Sequence, residues 1–245
     1  MSSLREILRK YKEQKKNLEK WENALAKYRY PKNKSQMKNL KINNLKGYFA
    51  RNVKRDEYAE KQEIIDFEKY FRKKASNINV IKEAIFWKLA FKPGAAKKFV
   101  NNLTKPGKDY VNAIKTFKTM YKKDKRKRIS SVLKLCEQFH LKDKYKYIVP
   151  FALVSLYYPK EFPMIDEKIG RWVDDNYPFY SGLRKRVGCF WVWEEAWIEW
   201  CNKMAWELSI TELKHLRLKW WRPRDVEMAV FVAQDSSGTI TLNPI

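Results

Sequence analysis

Residues 129–173 read ISSVLKLCEQFHLKDKYKYIVPFALVSLYYPKEFPMIDEKIGRWV, and the punctuation of this stretch decides the fold class. The run to Phe139 places apolar side chains at helical spacing. HLKDKYK, residues 140–146, is a short polar turn. From about Tyr147 to Tyr158 the chain is apolar almost throughout, which suits a buried helix. Pro159 and Pro163 bracket a turn, because proline fixes φ and offers no N–H. Asp166 then opens a further helix, EKIGRWV. An aspartate at a helix start is a common N-cap, its carboxylate accepting from an otherwise unpaired backbone N–H.

The same grammar extends in both directions. Upstream, NVIKEAIFWKLAF runs up to Pro93, GAAKKFVNNL follows, KPGKD is a turn, and YVNAIKTFKTMYKK is the next helix. Downstream come EEAWIEWCNKMAWEL and RPRDVEMAVFVAQ. A convincing period-two strand is missing, apart from a weak candidate in the tail GTITL. The expectation is an all-α fold of short helices with tight connections.

The first 76 residues differ in composition. Leu4, Ile7, Tyr11, Leu18, Trp21, Leu25 and Tyr28 form one stripe of an amphipathic helix that must lie on something. Pro31 ends it. Residues 31–56 are polar and rich in Lys and Asn, and residues 57–75 regain a helical pattern. We divide the chain into a basic, amphipathic helical region, 1–76, and a helical domain, 77–245.

Charge narrows the partners. Lys and Arg number 53 against 28 Asp and Glu, a formal net charge of +25. A domain so charged repels itself, and a polyanionic partner explains the excess. A hot habitat would raise Glu along with Lys. Cys136, Cys189 and Cys201 give neither a disulfide framework nor a C-x-x-C pair, so no metal site is expected. No stretch reaches the roughly 18 apolar residues of a membrane span, and no secretory signal opens the chain. The expectations are a cytoplasmic location, no membrane, no metal cluster, no cofactor, and a monomer.

Helix, hairpin, apolar helix and then EFPMIDEKIGRWV resembles the helix–hairpin–helix DNA glycosylase superfamily (HhH-GPD). Its final segment is similar to the catalytic-Asp segment of adenine and 8-oxoguanine glycosylases. The resemblance covers about residues 80–235 in helix order, and its specific part is 139–173. It implies double-stranded DNA as partner and base-excision chemistry, with oxidised purine as the substrate class. Asp166 would be the carboxylate that faces C1′ of a flipped-out nucleotide and stabilises the positive charge developing on the sugar.

Bifunctional members of that family place a nucleophilic Lys about nineteen residues before the Asp. Tyr147 stands there in this chain, with Lys146 beside it and Lys144 nearby. Lys146 is the candidate Schiff-base nucleophile and Tyr147 the alternative occupant, as in members without the Lys. The family's hairpin glycines are missing from HLKDKYK, so Lys142 and Lys144 would replace backbone N–H groups at a phosphate.

Basic runs extend the candidate interface. Lys122, Lys123, Lys125, Arg126, Lys127 and Arg128 precede the hairpin, Arg171 follows Asp166, and Arg184, Lys185 and Arg186 occupy the loop SGLRKRVG. Trp193, Trp197, Trp200, Met204 and Leu208 fall at core spacing, while an exposed Trp or Phe190 would stack on a base. Candidates for the base pocket are Tyr147 and, at the start of the last helix, Trp221 and Asp225. Two functions stay open: a glycosylase hydrolysing an N-glycosidic bond, and a non-catalytic basic helical nucleic-acid-binding protein on the same fold. A membrane-surface role for the first helix explains neither hairpin nor Asp166.

Overall fold

The computed structural model describes residues 4–31, 58–89, 93–102, 110–123, 128–139, 145–165, 167–176, 190–235 and 242. Within them the chain is mostly helical. The helices are α1 (Leu4–Ala26), α2 (Lys61–Lys74), α3 (Ile78–Lys88), α4 (Pro93–Asn102), α5 (Tyr110–Lys123), α6 (Arg128–Phe139), α7 (Tyr145–Tyr157), α8 (Glu167–Asn176), α9 (Phe190–Lys214) and α10 (Pro223–Asp235). By contact they form two compact units, Met1–Tyr28 with Pro159–Ile245, and Arg29–Tyr158.

The first unit is discontinuous in sequence. Its α1 packs on α10 and α9, burying Leu18, Trp21, Leu25 and Tyr28. The stripe read from the sequence therefore lies on the chain's own helices. It does so over its C-terminal half only, since Tyr11 is exposed. The composition change near residue 77 marks a shift in polarity, and it falls in the turn between α2 and α3. The contact division instead follows the large side chains of α1, which bury against residues from the far end of the chain.

The Trp-rich stripe of α9 is core. Trp197 and Trp200 stack at 5.2 Å between centroids, Trp172 of α8 lies 5.5 Å from Trp200, and Trp21 of α1 lies 6.4 Å from it. The side chains of Trp193 and Phe190 lie outside the described residues. Helix α10 starts as its sequence dictates. Pro223 takes the first helical position, where its missing N–H costs nothing, and Asp225 accepts from the Arg222 N–H (3.1 Å) and from the Arg222 guanidinium (2.8 and 3.0 Å).

The second unit holds α2 to α7 around Phe67, Phe71, Ile81, Ile85, Phe117, Leu135, Phe151 and Leu156. Asn77 caps α3, its side chain accepting from the Asn79 N–H (2.9 Å). Two strands the sequence did not disclose, β1 (Arg29–Pro31) and β2 (Tyr58–Glu60), pair antiparallel with Arg29 opposite Glu60. Three residues are too few to establish a period of two, and their pairing is non-local. Tyr30 anchors β1, its hydroxyl donating to the Lys88 carbonyl (2.8 Å) and its ring lying 4.9 Å from Trp87. The tail candidate GTITL, 238–242, lies outside the described residues except for its buried last residue, Leu242.

Candidate functional site

The proline-bracketed segment 159–165 is held by its backbone. The Pro159 carbonyl accepts from the Arg224 N–H (3.4 Å), and the Glu161 carbonyl from Asn202 Nδ2 (3.0 Å). The Met164 N–H donates to Glu227 Oε2 (3.3 Å), and the Met164 carbonyl accepts from Trp197 Nε1 (3.1 Å). Helices α9 and α10 thus both hold the segment. Phe162, Pro163, Met164 and Ile165 are buried, which leaves these polar groups few alternatives to pairing within the protein. Burial also raises the Glu161 carboxyl above its ordinary value.

Behind the clamp stands a buried ion pair. Arg224 and Glu227, one turn apart on α10, are both removed from solvent and hydrogen-bonded to each other. The Arg224 guanidinium lies 5.7 Å from the Tyr28 ring centroid and donates to its hydroxyl (3.4 Å). A chain of contacts therefore runs from the end of α1 through Arg224 and Glu227 to Met164, two residues before Asp166. Sequence reading passed over Glu227. The signal available was RDVE, whose arginine and two acids sit among apolar residues of α10 that leave little solvent-facing surface.

Asp166 itself lies outside the described residues, between buried Ile165 and Glu167, the first residue of α8. Lys146 and Tyr147 stand in the first turn of α7, which begins earlier than the sequence suggested. Pro150 inside that helix has no N–H to offer the Lys146 carbonyl. The side chains of Lys146 and Tyr147 lie outside the described residues, as do Lys142 and Lys144.

The basic run is described in part. Lys115 and Lys122 are exposed on α5, on the same face as Lys118, whose Nζ lies 4.5 Å from the Tyr157 ring centroid. Lys123 ends α5 and Arg128 opens α6; their side chains, and residues Lys125, Arg126 and Lys127 entirely, lie outside the described residues. The same holds for Arg184, Lys185 and Arg186. Arg171 is exposed on α8.

Of the three base-pocket candidates, Tyr147 has its side chain outside the described residues, and the other two have internal partners. Trp221 is buried, its Nε1 donating to Glu212 (3.0 Å) and its N–H to Ser209 Oγ (2.9 Å). Asp225 is held by Arg222. Among the described residues no group of three or more His, Cys, Asp or Glu could hold a metal ion. Comparison of the chain with protein-family models, with curated proteins and with solved structures gives no match.

Proposed function

We propose that this protein binds double-stranded DNA and hydrolyses the N-glycosidic bond of a damaged or mispaired base, with Asp166 as the catalytic carboxylate. The observation that carries this reading is the clamp on residues 159–165. A carboxylate that stabilises an oxocarbenium-like centre must be held within a fraction of an ångström. Here the chain leading to Asp166 is fixed at Pro159, Glu161 and Met164 by two helices and a buried ion pair. In this chemistry the C1′–N bond breaks and its electron pair leaves with the base, which takes up a proton. Water, deprotonated as it attacks, completes the sugar at C1′. The +25 charge supports the polyanionic partner. Oxidised purine is the substrate class proposed, and Lys146 is the nucleophile should strand cleavage accompany base release.

A non-catalytic nucleic-acid-binding role has one observation in its favour. Glu167 begins α8, and in the sequence the residue just before a helix is where an aspartate commonly serves as N-cap. Single-turnover base release from a panel of damaged and mispaired duplexes, comparing wild type with Asp166→Asn, separates the two. The glycosylase reading expects release by wild type and its loss in the variant, with DNA affinity retained. Salt-sensitive binding with no release from any duplex overturns it in favour of the second.

A further inference from the structure

Among the described residues, the exposed large hydrophobic side chains are Leu8, Tyr11, Trp206, Leu213, Leu216, Leu218 and Trp220. Leu216, Leu218 and Trp220 lie on one short segment of the discontinuous unit, next to Tyr11. The segment 216–221 runs back along the end of α9, with the Arg217 N–H on the Glu212 carbonyl (2.9 Å) and the Trp221 N–H on Ser209 Oγ (2.9 Å). Trp206 and Leu213 lie on that same helix. Tyr11 of α1 meets the His215 ring at 4.3 Å between centroids, with Leu8 one turn before it.

The pattern of this segment is inverted. Leu216 (95% exposed), Leu218 (88%) and Trp220 (59%) reach into solvent without a charged partner, whereas the charged residues between them are tied to carboxylates of the same unit. Arg217 pairs with Glu22 (2.7 Å), and Lys219 with Glu22 (2.9 Å) and buried Glu212 (3.6 Å). Lys219 also sits 4.4 Å over the Trp221 ring.

Leu216 carries a second cost. It ends α9 with φ of 58°, its N–H on the Leu213 carbonyl, in the left-handed position of a Schellman cap. Glycine adopts that conformation freely and leucine does not. A side chain that is both strained and fully exposed contributes nothing to ending the helix, and this points to a use outside the fold.

We propose that this segment is an interfacial anchor that inserts Leu216, Leu218 and Trp220 into the headgroup region of an anionic bilayer. Leu and Trp are the types that enter this zone, and basic flanks add attraction to anionic lipid. Exposed Lys12 and Lys15 of α1, next to and one turn from Tyr11, and Lys214 of α9 supply such flanks. Protruding side chains on a pinned segment suit a soft phase that closes around them. A second copy of the chain would bring +25 against +25. Nucleic acid fits less well here, because Arg217 and Lys219 are bound to carboxylates and leucine has no ring face for a base. No described helix is long and apolar enough to cross a membrane, so the contact is peripheral. The proposal does not depend on the chemistry of Asp166.

The test is co-sedimentation of the full chain with phosphatidylcholine vesicles, with and without phosphatidylglycerol. Wild type should bind the anionic vesicles only, and brominated acyl chains should quench its Trp fluorescence. Replacing the three residues together (Leu216→Ser, Leu218→Ser, Trp220→Ser) should weaken binding at least about tenfold with Tm unchanged. Leu216→Gly should weaken binding while leaving Tm equal or higher, the signature of a residue kept for a partner. Failure to bind either vesicle, or undiminished binding by the triple variant, overturns the proposal. So does a triple variant that loses self-association or duplex affinity in place of vesicle binding, which assigns the segment to a second copy or to nucleic acid.

Discussion

Glu227→Gln removes one charge from the centre of the clamp and changes almost nothing in shape. Arg224 and Glu227 are buried partners, and Arg224 has no path to water. Removing one partner of a buried ion pair costs about 3–5 kcal/mol, more than the pair itself contributes, because the buried charge that remains is less well compensated. At about 2–4 °C per kcal/mol for a chain of this size, Tm should fall by about 6–20 °C. Thermal unfolding followed by far-UV circular dichroism reads this directly. The double variant Arg224→Met with Glu227→Leu removes both charges and should recover most of the loss. It should fall short by about 1 kcal/mol, since the buried Met164 N–H then lacks its acceptor. A single variant within about 2 °C of wild type, under 1 kcal/mol by the same conversion, would refute the reasoning. So would a double variant as unstable as the single one.

Partial burial raises the Glu22 carboxyl, but hydrogen bonds and charge from Lys219, then Arg217, outweigh it and hold it below its ordinary value. A lowered folded-state pKa adds stability that is present above the unfolded value and lost as pH falls through the folded one. Glu22→Gln should therefore lower Tm at neutral pH, with the difference from wild type vanishing in acid; a constant difference across pH would sink the idea. Burial pushes the Cys201 thiol well above its ordinary value, so it should resist maleimide in the native protein and react after denaturation. Peptide mass spectrometry decides it, and native labelling at a free-thiol rate would contradict the burial.

Much of the fold was legible because helical periodicity is local. YVNAIKTFKTMYKK was expected as a helix and forms α5 over the same residues, Tyr110–Lys123. The stripe of Trp197, Trp200, Met204 and Leu208 was expected in the core and is buried there. The strand β1 and its partner β2 were not legible, because each is short and each exists only through the other. The outward face of 215–222 was also missed. HLRLKWWR alternates apolar and basic residues, and the ordinary assignment turns the leucines in and the charges out.

The sequence by itself determined a mostly helical chain, a strong positive charge, a proline-bracketed approach to Asp166, and the core face of α9. Each follows from spacing, composition or the fixed φ of proline, and needs no distant residue. Only the tertiary structure decided which helices clamp Met164, why Arg224 and Glu227 tolerate burial, and that Arg217 and Lys219 pair with Glu22 while Leu216 and Leu218 face water. Those outcomes depend on partners such as Tyr28 and Glu22, far away in the sequence. A carboxylate or guanidinium has no preferred face until the fold supplies the opposite charge.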